Sequence, residues 1–230
     1  VLSACLFLFR PRRLWTGPTF SSVFQGSIRF NTFVGLAAAS ALTGPSGVTL
    51  AAVAIIAMIP LINLFCVPTV AYFGKGQAGG VPAMVREILR NPLILACLAG
   101  FALNLANIPK PEGLFQVVDL LGRAALPVGL LAVGASLRIT SLHANISGLI
   151  VSCFVKLIVF PALTALFCIV FQVTGEAKTV AVLFAALPTS VSSFILARQL
   201  GGDTTIMASM VTVHTVLAAV TMPVMIALLV

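Results

Sequence analysis

Between Val48 and Phe73 the chain carries no charged residue. That run is longer than the roughly 20 apolar residues a helix needs to cross a hydrocarbon core about 30 Å thick. Inside hydrocarbon every backbone N–H and C=O must find a partner within the protein, which restricts spanning segments to helices and closed barrels. The short alternating segments of a barrel are absent, so helices are expected. Composition agrees: 60% of the 230 residues are hydrophobic and 8% are charged, against about 25% charged in a soluble domain. The expected fold is an all-α polytopic membrane protein.

Further apolar runs place the other spans at about Asn31–Thr43, with a start as early as Phe20 allowed, and at Pro92–Asn107, Leu114–Leu137, Ile146–Phe171, Thr179–Ala197 and Thr204–Val230. Gly44-Pro45-Ser46-Gly47 reads as a turn. The apolar stretch Val1–Phe9 is too short to span and ends at Arg10-Pro11-Arg12-Arg13. It is expected to be the end of a helix that starts upstream.

The net charge of +8 does not point to nucleic acid. The basic residues stand in short loops, which is how a helical membrane protein is oriented. If Arg10–Arg13 is cytoplasmic, the alternate loops carrying Lys75, Arg86 and Arg90, then Arg138, then Arg198, are cytoplasmic too. The opposite loops hold Lys110 and Lys178, each near a Glu, and the C-terminus falls outside. Cys5, Cys66, Cys97, Cys153 and Cys168 lie in apolar runs without CxxC spacing, which argues against a disulfide framework or a metal site. No cofactor is expected. The sequence has no P-loop, GxSxG or HExxH motif.

A faint repeat is visible. Gly44 follows Asn31 by thirteen residues, and Gly201 follows Pro188 by thirteen. Paired interrupted segments in two halves of a chain mark a transporter site near the bilayer midplane. The chain then divides into residues 1–73, with the stub and two spans; 74–91, a cytoplasmic loop; and 92–230, with five spans.

Asn31-Thr32-Phe33-Val34-Gly35 is similar to a signature element of the auxin efflux carrier family, which includes PIN-type carriers and bacterial malate and malonate permeases. Asn91-Pro92-Leu93-Ile94, Leu126-Pro127-Val128-Gly129 through Leu137, and Ala185-Ala186-Leu187-Pro188-Thr189-Ser190 through Gly201 resemble the same family. The resemblance implies ten helices in two inverted repeats, with broken fourth and ninth helices that cross near the substrate. On that template the chain runs from late in the third helix through the tenth. Plant carriers have prolines flanking the first element, where this chain has Phe30 and Ala37.

Substrate contacts are therefore expected from Asn31, Thr32, Asn63, Pro188, Thr189, Ser190 and Ser192. A broken helix exposes unpaired N–H groups and a positive dipole end that favour a carboxylate. Lone amides such as Asn63 and Asn104 also commonly bond between helices. Arg29 could attract an anion, but an interfacial anchor is the expected role. Lys156, His214 and the i,i+4 pair Asp119 and Arg123 are candidate coupling or charge sites, since ionisable groups inside a membrane are costly; the Lys156 stem also allows snorkelling toward the interface. The expected activity is secondary transport of a small organic anion across the cytoplasmic membrane by alternating access. An intramembrane hydrolase using Ser and His214, or a non-transporting receptor or channel subunit, is the alternative. The expected partners are that anion, the bilayer and a second copy of the chain as homodimer.

Overall fold

The computed structural model describes residues 15–74, 92–106, 112–135, 137 and 145–230. The Val1–Phe9 stub, Arg10–Arg13, Lys110, Arg138, the body of the 74–91 loop and the Asn91 end of its motif lie outside them. The described residues are helical: α1 Gly17–Ile28, α2 Thr32–Phe73, α3 Pro92–Leu105, α4 Glu112–Ala135, α5 Ile146–Phe154, a π-helical turn Val155–Val159, α6 Phe160–Val170, α7 Gly175–Ala186, α8 Ser192–Leu200 and α9 Thr204–Leu229. Several stretches are long and apolar enough to cross a membrane, among them Ile146–Val170 and Thr204–Leu229. The protein is an all-α polytopic membrane protein.

Two of the spans are broken. The first begins at Gly17, earlier than the apolar run alone suggested, because Thr16 accepts from the Thr19 amide and Pro18 suits the first turn. It stops at Ile28. Arg29 (ψ 144°) and Asn31 (ψ 106°) are extended, and Asn31 Oδ1 then caps α2 by accepting from the Phe33 and Val34 amides. No proline is needed: the Asn31 cap competes with helix continuation, and Phe30 is buried edge-on against Phe184 at 5.3 Å. The second break follows α7. Leu187 (ψ 147°) precedes Pro188, whose ring disfavours helical backbone in the residue before it. This span runs from Gly175 to Leu200, a few residues beyond the expected Thr179 and Ala197 at each end. Gly44 (φ 65°) and Gly201 (φ 76°) end the second halves in left-handed backbone, which glycine adopts without a Cβ clash.

The two broken helices run in opposite directions. Gly17, Gly74, and the Gly201–Asp203 turn share one pole: the Asp203 amide donates to Pro18 O, Thr19 donates to Asp203 Oδ2, and Gly74 lies against the Leu200 carbonyl. α7 starts at the other pole, where Lys178 reaches the Val230 carbonyl. α1 packs on α2, α5 and α9, while α7 packs on α2, α6 and α9. Their shared core includes Phe20, Phe24, Ile55, Leu183, Phe184, Met207 and Met210. Buried positions hold Ser22, Gln25, Asn63, Ser152, Lys156 and His214, whereas Leu61, Phe65, Ile169 and Leu217 face outward. Apolar outside and polar inside is the distribution a hydrocarbon solvent favours.

Candidate functional site

The two breaks touch. The Asn31 amide donates to Pro188 O at 2.9 Å, and the Thr189 hydroxyl donates to Gly26 O. Each bond satisfies a backbone group that a helix end orphans. Beside this crossing lies a cavity of about 400 Å³. One wall is Arg29 to Phe33, at the first break. Another is Ser190, Val191 and Ser192, at the second. α2 supplies Ile59, Ile62 and Asn63, and α4 closes the far side with Gly129, Ala132 and Val133. Gly129 is pressed against the Phe33 ring, so a side chain there would displace it.

The polar inventory of the cavity is lopsided. Asn31 Nδ2 and both amide atoms of Asn63 are buried and have no hydrogen-bond partner among the described residues. Buried polar atoms normally have one. Arg29 is 7% exposed and also lines the cavity. It is therefore not the interfacial anchor that its place after an apolar helix suggested. Among the described residues no carboxylate lines the walls. The N-terminal ends of α2 and α8 border the same space, where their positive dipole ends add to the field. A guanidinium, two amide groups, the hydroxyl residues Thr32, Ser190 and Ser192 and two helix starts, set among apolar side chains, make an environment that suits an anion.

Residues 81–226 match the model of a family described as "Membrane transport protein". The chain belongs to that family. This bears out the auxin efflux carrier resemblance read from the motifs. A protein of Rhizobium meliloti (strain 1021), described as "Putative malonate transporter", is 31% identical over 178 residues, which is 69% of this chain and 53% of that relative. The chain spans about half the length of the curated relative it matches.

Of the residues singled out in sequence, Asn31, Thr32, Asn63, Ser190 and Ser192 line this family member's cavity. Pro188 and Thr189 do not. Pro188 contributes its carbonyl to the crossing, and Thr189 is fully buried behind it. Thr189 Oγ1 meets His214 Nδ1 at 2.7 Å, and His214 Nε2 meets Ser152 Oγ at 3.1 Å. His214 thus stands behind the crossing, not in the cavity. Ser152 and His214 lack the features of a hydrolase pair: both are fully buried, and the second ring nitrogen faces a hydroxyl where a triad has a carboxylate. Asp119 and Arg123 form a 2.9 Å ion pair on α4 with side chains 53% and 79% exposed, away from the cavity. Asn104 is exposed on α3. Lys156 does not snorkel; it is completely buried in the π-helical turn.

Arg29, Ser152 and Gln25 are the polar residues the sequence reading undervalued. Gln25 is fully buried, with both amide atoms unpartnered among the described residues. The available signal was a polar side chain one turn before a break in an otherwise apolar helix.

Proposed function

We propose that the protein moves a small organic anion, a carboxylate, across the cytoplasmic membrane by alternating access. The observation that carries this reading is the set of unpartnered amides, Asn31 Nδ2 and Asn63, beside Arg29 in a cavity at the crossing of two helix breaks. Donors without protein partners cost free energy until a ligand meets them. The family membership supports transport, and the relative's printed name supports a carboxylate. In this reading residues 1–73 and 92–230 belong to two inverted repeats and 74–91 is a cytoplasmic loop. The C-terminus lies outside, the carrier works as a homodimer, and it catalyses no covalent chemistry. α4 and the crossing move relative to each other to expose Asn31 and Asn63 to either side.

The test is flux. The carrier, expressed from its complete reading frame and reconstituted in liposomes, should take up labelled malonate or a related carboxylate, with saturation and with competition by other carboxylates. Flux of neutral amino acids or cations with no carboxylate flux would overturn the substrate class. Hydrolysis of a membrane-embedded ester or peptide without flux would overturn the transport reading.

A further inference from the structure

Lys156 is a charge-bearing side chain completely buried in the described structure. Its Nζ has no hydrogen-bond partner among the described residues and stands over the Phe160 ring, 4.7 Å from the centroid. The backbone puts it there. Pro161 has no N–H to continue the helical ladder, and the preceding turn widens so that the Phe160 amide reaches Val155 O. The widened turn packs against α1 and α7, the first halves of the two broken helices, and against α9.

The charged and titratable groups around it are few. Cys66 of α2 and His214 of α9 lie within electrostatic reach. Cys153 is on its own helix, Cys168 on α6, and Arg29 follows the end of α1. Glu176 and Lys178 stand at the start of α7, at the pole where Val230 lies. The other described carboxylate side chains are engaged elsewhere: Asp119 with Arg123, and Asp203 as the cap of α9. No described carboxylate neutralises an ammonium at Lys156.

Two of those neighbours connect Lys156 to the cavity. Cys66 is one turn along α2 from Asn63, a cavity wall residue. His214 is bonded to Thr189, which sits between Pro188 and the wall residue Ser190. The His214 ring is already engaged on both sides. Thr189 has a single hydroxyl proton and directs it to Gly26 O, so Nδ1 donates to Thr189, while the one hydroxyl proton of Ser152 is shared between Leu149 O and His214 Nε2.

We propose that Lys156 is a proton-binding coupling site: its ammonium finds its counter-charge in the carboxylate held at Asn31 and Asn63, so that anion and proton bind together. This rests on the anion reading of the cavity. An ammonium buried without an anion is costly, and an anion one helical turn from its neighbour lowers that cost. By reciprocity, a proton on Lys156 then tightens anion binding by the same factor. The transported unit is a carboxylate with its proton, and substrate affinity rises as pH falls.

Calorimetric titration of the solubilised carrier with malonate, in two buffers of different ionisation heat, counts the protons taken up. Wild type should take up protons on binding at neutral and alkaline pH. Lys156→Met should bind malonate about tenfold to a hundredfold more weakly and take up none. Lys156→Arg keeps a fixed charge and should bind malonate with no proton uptake, which covers the case of a Met variant that fails to fold. His214→Gln should retain uptake. Binding by wild type without uptake overturns the proposal, as does uptake that survives in Lys156→Met or Lys156→Arg, or that is lost only in His214→Gln. If wild type binds neither malonate nor any of a panel of mono- and dicarboxylates, the anion reading itself falls.

Discussion

Asn31 performs two separable tasks, and one substitution tells them apart. Its Oδ1 caps α2 by accepting from the Phe33 and Val34 amides at 3.2 and 3.4 Å. Its Nδ2 is buried, unpartnered among the described residues and part of the cavity wall. Asn31→Ala removes both, so it should cost about 0.5–2 kcal/mol of stability from the lost cap as well as the substrate contact. Asn31→Asp keeps the acceptor, which caps a helix as well as Asn does, and adds a charge that suits the α2 N-terminus. It deletes only the donor and sets an oxygen against the substrate. A hydrogen bond to a charged group is worth about 1.5–3 kcal/mol, or about tenfold to over a hundredfold in affinity. The expected result is a melting temperature of Asn31→Asp near wild type with malonate affinity reduced by at least that factor. The assay is proteoliposome uptake across a concentration series, alongside thermal unfolding in detergent. Unchanged affinity in a well-folded Asn31→Asp carrier would refute the reasoning and remove Asn31 from the site.

Thr189→Val should leave Gly26 O and His214 Nδ1 without their partner and lower stability by about 1–3 kcal/mol, while Thr189→Ser restores it; equal melting of all three carriers counts against the crossing bond. Gly44→Ala meets no atom within 4 Å, so its cost comes from backbone strain alone at φ 65°, ψ −146°; a loss of about 1–3 kcal/mol in unfolding measurements is expected, and no loss would show that the turn relaxes freely. If the proposed topology holds, with the C-terminus outside, a cysteine at Glu176 in a Cys-free carrier should react with an impermeant thiol reagent on intact cells, and one at Gln199 should not. The reverse pattern inverts the topology.

The spans were legible because lipid leaves little choice: an uncharged run long enough to cross is a helix, and Val48–Phe73 and Thr204–Val230 announce themselves. The second break was legible because Pro188 forces Leu187 out of helical backbone. The first break was legible as a motif but not as geometry, because its cause is a side-chain cap at Asn31 and not a proline. Arg29 was misjudged for a related reason. A cation at the end of an apolar helix normally marks the membrane surface, and only the break turns that helix end inward. Asn63 was found because an amide stands out in an apolar run. Ser152 was not, since a serine is an ordinary packing residue until His214 is placed 3.1 Å away. The π-helical turn at Val155–Val159 has no periodicity of its own, so the burial of Lys156 emerges only from packing.

A break in a membrane helix would ordinarily be prohibitive, because lipid offers nothing to the freed N–H and C=O groups. Here each break closes the other. The Asn31 amide takes the Pro188 carbonyl, and the Thr189 hydroxyl takes the Gly26 carbonyl. These bonds tie the two interruptions into one frame, and His214 ties that frame to α5 and α9 through Ser152 and Thr189. Asn31 N–H, Pro188 O and Gly26 O are thus closed off by protein. The side-chain amides left open, Asn31 Nδ2 and Asn63, stand on the side where the cavity lies. α4 closes that side through Gly129 against the Phe33 ring and through small Ala132, an apolar contact. Hydrogen bonds on the frame side and apolar contact on the other make the α4 seam the cheaper one to open.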